Sequence, residues 1–79
     1  MNKRVRLSDV KVGVRCVFVR FSLISPLFSR LNDLGLVAGT TVTVSPVGFS
    51  SDPVCLRFRD LKIAVPKEGL DGILVTVKS

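Results

Sequence analysis

The sequence predicts a small, mainly β domain: a barrel of about five short strands, with one short helix between the first and second. Three observations predict it. Short segments rich in β-branched and apolar residues recur along the chain, and one stretch carries a capped helical stripe. Gly, Pro, Asp and Ser stand between these segments as turn residues. Seventy-nine residues leave room for one domain, 1–79. At that length roughly two-thirds of the unfolded chain's surface can be buried.

Residues 14–21 follow Gly13 and read as the first strand, being rich in Val and Phe. Its inward face stays open, because Cys16 and Phe18 compete with Val17 and Val19. Ser25 is a good helix N-cap, and Pro26 falls at the first helical position, where its missing N–H is harmless. Leu27, Leu31 and Leu34 then recur at i, i+4 and i+7 with Phe28 alongside, one apolar stripe. Gly35 can take the left-handed conformation that ends a helix, here of about ten residues. Leu31, Leu34 and Leu36 are expected in the core. Gly35 and Gly39 are expected at positive-φ or close-approach sites.

After Gly39, residues 40–45 alternate, with Val42 and Val44 inward and Thr41, Thr43 and Ser45 outward. Pro46, which cannot donate to a ladder, is expected to end that strand. Residues 48–53 read as a loop. In 54–59, Val54, Leu56 and Phe58 face inward, and Cys55, Arg57 and Arg59 outward. Asp60 and Leu61 turn the chain into 62–65. Residues 66–72 are no strand and have room for one helical turn, and 72–77 form the last strand.

The chain contains no histidine, which excludes Ser/His/Asp and Cys/His nucleophile pairs and imidazole metal ligands. Cys16 and Cys55 form no CxxC pair, and the six acids are scattered, so neither zinc nor ferrous iron finds a ligand set. No phosphate-cradling GxxxxGK[ST] loop is present. The sequence therefore offers no catalytic residue, no metal site and no cofactor site. It opens without a signal-peptide core and lacks any apolar run near the ~18 residues of a membrane span. The expectation is a cytoplasmic protein with reduced thiols.

Twelve Lys and Arg against six acids give a net charge of +6, which invites nucleic acid, an anionic membrane or an acidic protein. Residues 18–21 match the tail of the RNP1 pattern, but residues 14–17 fail its start. Phe58 should be buried between Arg57 and Arg59, unable to stack on a base. These points argue against nucleic acid. The unusual segment is 21–28, where Leu23 and Ile24 occupy a loop. Exposed, they would make an apolar patch near Arg20 and Arg30, and Leu23, Ile24 and Arg30, with Phe49 at a hairpin tip, are the candidate docking face. Alternatively the loop folds back to cap the open end of the barrel.

Several stretches together resemble the FeoA family. Leu7-Ser8-Asp9-Val10-Lys11-Val12-Gly13 is similar to its opening. Leu31-Asn32-Asp33-Leu34-Gly35-Leu36-Val37-Ala38-Gly39-Thr40-Thr41-Val42 is similar to its helix-to-strand signature. Pro46 with Asp52-Pro53-Val54 is similar to its central hairpin, and Ile63-Ala64-Val65, Glu68, Ile73 and Val75 to its last two strands. The family's Gly-rich loop is here the apolar Phe21-Ser22-Leu23-Ile24-Ser25.

The resemblance implies an SH3-like barrel and a non-enzymatic accessory protein of bacterial ferrous iron transport. It implies docking on the cytosolic GTP-binding domain of a FeoB-like transporter, with the membrane reached only through that partner. Exposed strand edges would also allow self-association. Two other readings fit a small barrel: an SH3-like module related to the C-terminal domain of iron-dependent repressors, and a small basic RNA-binding barrel.

Overall fold

The structure, a computed structural model, describes residues 2–78. Its strands are β1 (Asn2–Arg6), β2 (Cys16–Phe21), β3 (Thr41–Val47), β4 (Ser50–Phe58), β5 (Leu61–Val65) and β6 (Ile73–Lys78). One α-helix, α1 (Pro26–Asp33), follows β2, and 3₁₀ turns occupy Leu7–Asp9 and Lys67–Gly72. The strands form a single antiparallel sheet in the order β1-β6-β2-β3-β4-β5.

The described strands number six rather than five, and the helix lies between the second and third. The unexpected one is β1. Among Asn2-Lys3-Arg4-Val5-Arg6 the one apolar residue is Val5, opposite Val75, so no apolar alternation announces the strand. Its pairing with β6 supplies what its own composition lacks.

The sheet curls around the core without closing. It ends in β1 and β5, which are not paired to each other, so the SH3-like barrel is approximate. The two 3₁₀ turns touch one another, and the second also contacts β1 and β4. Leu7 and Leu70, buried in these turns, complete the core where the ladder is missing. The backbone N–H of Lys67 donates to Asp52 Oδ1 at 2.9 Å, tying the second turn to β4.

Alternation holds in the middle of the sheet. Val42 and Val44 of β3 and Val54, Leu56 and Phe58 of β4 are buried, each large side chain contributing about 1.5–3 kcal/mol of transfer free energy. In β2 the face left open by the sequence is settled by Cys16 and Phe18, both buried, while Val17 is exposed. A bulge after Phe18 changes the phase, so that Phe21 also turns inward, opposite Ile73. The strand starts at Cys16, not Val14, because Val14 N–H closes a turn onto Lys11 and Gly13 N–H donates to Val44.

Pro46 does not end β3. The register shifts between Pro46 and Val47, which pairs with Ser50 across a tight turn, so the proline sits at a bulge, where a missing donor is tolerated. Much of the expected 48–53 loop is therefore the start of β4. Cys55, expected outside, is partly buried beside its partners Ser45 and Ala64.

Candidate docking surface

Ser25 fixes the start of the helix. Its Oγ accepts from Phe28 N–H at 3.1 Å, and Pro26 follows at the first helical position. This places Phe28 and Leu31 on the buried face, with Leu27 partly buried. Leu34 departs from the expected stripe and is 40% exposed. It is the C-cap, where the chain leaves the helix axis, and Leu36 enters the core instead.

The helix end explains the Leu31-to-Gly39 signature. Leu36 N–H donates to Leu31 O and Gly35 N–H to Asn32 O, both at 3.0 Å, the two bonds of a Schellman motif. Gly35 has φ 110° and Gly39 φ 93°, as expected of positions that side chains rarely occupy. Gly39 N–H donates to Phe18 O, and Thr40 O accepts from Phe18 N–H, so the turn is sewn to β2. Within this signature Leu31 and Leu36 are buried, Gly35 and Gly39 take the positive-φ positions, and Leu34 lies at the surface.

Between β2 and α1, Ser22 N–H donates to Gly72 O at 2.9 Å. That bond holds the segment against the start of β6 and leaves Leu23 56% and Ile24 97% exposed. They border a depression of about 300 Å³ with Phe21, Ser25, Phe28, Ser29 and Asn32. Phe21 and Phe28 stack there with centroids 4.6 Å apart and planes 10° apart, and Phe18 lies 4.7 Å from Phe21. The ring of Phe28 fits because Gly72 has no side chain. A Cβ there would stand 2.5 Å from Phe28 Cε2 and 3.7 Å from Leu23 Cδ2. Leu23 thus partly covers the core, while Ile24 points away from it.

The sequence-predicted residues divide between places. Leu23 and Ile24 lie together. Arg30 is exposed on α1 but does not border their depression. Phe49, fully exposed at the β3–β4 turn, borders a separate depression of about 310 Å³ with Val12, Pro46, Gly48, Ser51, Val54 and Lys67. Sequence reading missed Phe21, Ser29 and Asn32, as well as Val12. The Phe21–Phe28 stack depends on the β2 bulge, which left no local signal.

Chemically the surface is plain. Among the described residues, no group of three or more His, Cys, Asp or Glu is placed to hold a metal ion. Burial pushes the Cys16 thiol above its ordinary pKa, the opposite of an activated thiolate. No described helix is long and apolar enough to cross a membrane. What this surface offers is contact: exposed aliphatic side chains over stacked rings, beside a helix N-terminus.

The FeoA domain family model matches residues 5–77. The chain belongs to the FeoA family. The solution structure of the FeoA protein from Chlorobium tepidum superposes with a TM-score of 0.81 at 25% identity, over 95% of this chain and 71% of that one. The solution structure of iron(II) transport protein A from Clostridium thermocellum gives 0.75 at 26% identity, over 92% of this chain and 45% of that one. T. acidophilum IdeR shares the fold at a TM-score of 0.77 and 21% identity, over 95% of this FeoA-family chain and 34% of IdeR. No curated protein sequence matches.

Proposed function

We propose that this FeoA-family chain is a non-enzymatic accessory protein of ferrous iron transport. It docks, on the cytoplasmic side, on the GTP-binding domain of a FeoB-like transporter. Family membership and the name of the C. thermocellum relative support the iron context. The absence of histidine from the chain supports action without catalysis. A protein that acts by contact changes its partner by binding one of its conformations more tightly than another.

The observation that carries the reading is Ile24, 97% exposed beside Leu23 on a segment held by the Ser22–Gly72 hydrogen bond. An aliphatic pair presented on a fixed backbone is the kind of anchor a protein interface buries. Binding of Leu23→Asp and Ile24→Asp variants to the transporter's isolated cytosolic domain, with and without guanine nucleotide, tests it. The expected result is a loss of at least about tenfold in affinity for Ile24→Asp, with an unchanged melting temperature. Unchanged affinity in both correctly folded variants removes the reading.

A further inference from the structure

The outer face of the sheet carries charge of a single sign. Alternation and register place Arg4 and Arg6 of β1, Arg20 of β2, Arg57 of β4 and Lys62 of β5 on it, and all are exposed. No acidic residue takes an outward paired position on a strand, although Asp60 borders a depression with Arg57 and Lys62 at one end of the face. Asp9, Glu68 and Asp71 are in the 3₁₀ turns, Asp33 is in α1 and Asp60 is in the β4–β5 turn. Asp52 sits at the register shift of β4, its carboxylate turned to Lys67 N–H.

The arrangement opposes the fold's own stability. Arg57 and Lys62 are direct cross-strand partners, and like charges so placed repel. Arg6 and Arg20 flank Leu74 from its two neighbouring strands. Of these cations only Arg6 has an acidic partner among the described residues, Asp9 at 3.4 Å. Among the described side chains, unneutralised cations on β1, β2, β4 and β5 call for an external anion that is equally spread out.

The face also narrows the choice of anion. It has no outward aromatic ring for stacking a base, since Phe18 and Phe58 are buried and Phe21 stacks on Phe28. Its apolar side chains, Val17 at 38% exposure with a partly buried Leu74 and the small Ala64, include no large or aromatic anchor of the kind a protein interface centres on. Its guanidinium groups suit phosphate oxygens, and the hydroxyls of Thr43 and Thr76 lie among them. We propose that the outer face of the sheet binds the anionic phospholipid headgroups of a bilayer surface. Sequence reading expected the membrane to be reached only through the transporter; this contact is direct, and neither it nor the transporter reading depends on the other.

Co-sedimentation of the full chain tests it, using phosphatidylcholine vesicles with and without phosphatidylglycerol across a range of salt. Binding to the anionic vesicles alone, weakening as salt rises, is expected. Each neutralised cation should lower partitioning about fivefold, so Arg57→Gln with Lys62→Gln loses about 25-fold. That variant should melt no lower than the parent, because a like-charge pair is relieved. Arg4→Gln with Arg20→Gln should lose as much from the other half of the sheet. Lys11→Gln with Lys67→Gln, away from this face, should lose less than about fivefold. The proposal is overturned by absent binding, by equal losses in all three variants, or by tighter binding to a single-stranded RNA oligonucleotide at the same salt.

Discussion

Arg59 donates from Nε to the carbonyl oxygen of Gly35 at 3.3 Å, joining the β4–β5 turn to the end of the helix. The same carbonyl accepts from Thr40 Oγ1 at 3.4 Å. Arg59 itself has φ 54°, uncommon for a residue with a side chain. It stands at the first position of a two-residue hairpin turn between the paired Phe58 and Leu61, where glycine is preferred. A strained turn and a helix cap therefore meet at one oxygen.

Gly35→Ala should destabilise the fold by about 1–3 kcal/mol, because an L side chain is placed at φ 110°. The added Cβ would also approach Arg59 Nε to 3.0 Å, but that is a flexible side chain and can move. Urea melts of Gly35→Ala, Arg59→Ala and the double variant separate the two causes. The loss should persist in the double variant; full recovery would assign it to crowding instead.

Gly72→Ala should cost about 1–3 kcal/mol by overpacking, because its Cβ would meet the Phe28 ring at 2.5–2.6 Å. Replacing Phe28 with Leu shortens the offending side chain. The double variant Phe28→Leu/Gly72→Ala should therefore lose less stability than the sum of the single variants. Simple additivity in thermal melts would show that the ring shifts aside at no cost.

Ser25→Ala removes the oxygen that accepts from Phe28 N–H and should cost about 1 kcal/mol, with Ser25→Asp retaining most of it. The effect matters for function because Ser25 follows Ile24 directly. Amide hydrogen exchange should show faster opening of the first helical turn in Ser25→Ala. Equal exchange in both variants would mean that tertiary packing alone fixes the turn.

Cys16 gives the fold a predictable alkaline limit. Burial disfavours its thiolate and raises its pKa, so folded and unfolded chains are both protonated below the ordinary thiol value. Above about pH 8.5 the unfolded chain loses a proton that the folded chain keeps. Stability therefore falls with rising pH until the raised folded value is passed. Denaturation measured from pH 7 to 10 should show this fall, and Cys16→Ala should flatten it. A profile identical in parent and variant would place the alkaline sensitivity elsewhere.

Strand alternation in residues 42–44 and 54–58, the Ser25–Pro26 helix start and the Gly35 stop are local patterns. Each depends on a period or a cap that neighbouring residues carry, so the mainly β class, the helix position and most of the core follow from the amino-acid order. The family signature follows too, because it spells out a Schellman turn. Other features depend on what lies across the sheet or under the helix. Strand β1 exists because β6 accepts it, and the inward face of β2 was settled by packing. Leu34 left the core because the chain turned at its position, and the space for Phe28 was made by a glycine far along the chain. Whether Leu23 and Ile24 were buried or displayed could not be read from their hydrophobicity, which favours burial wherever the fold has room. The curled sheet had filled its interior with Phe28, Leu31 and Leu36, and that left Ile24 outside.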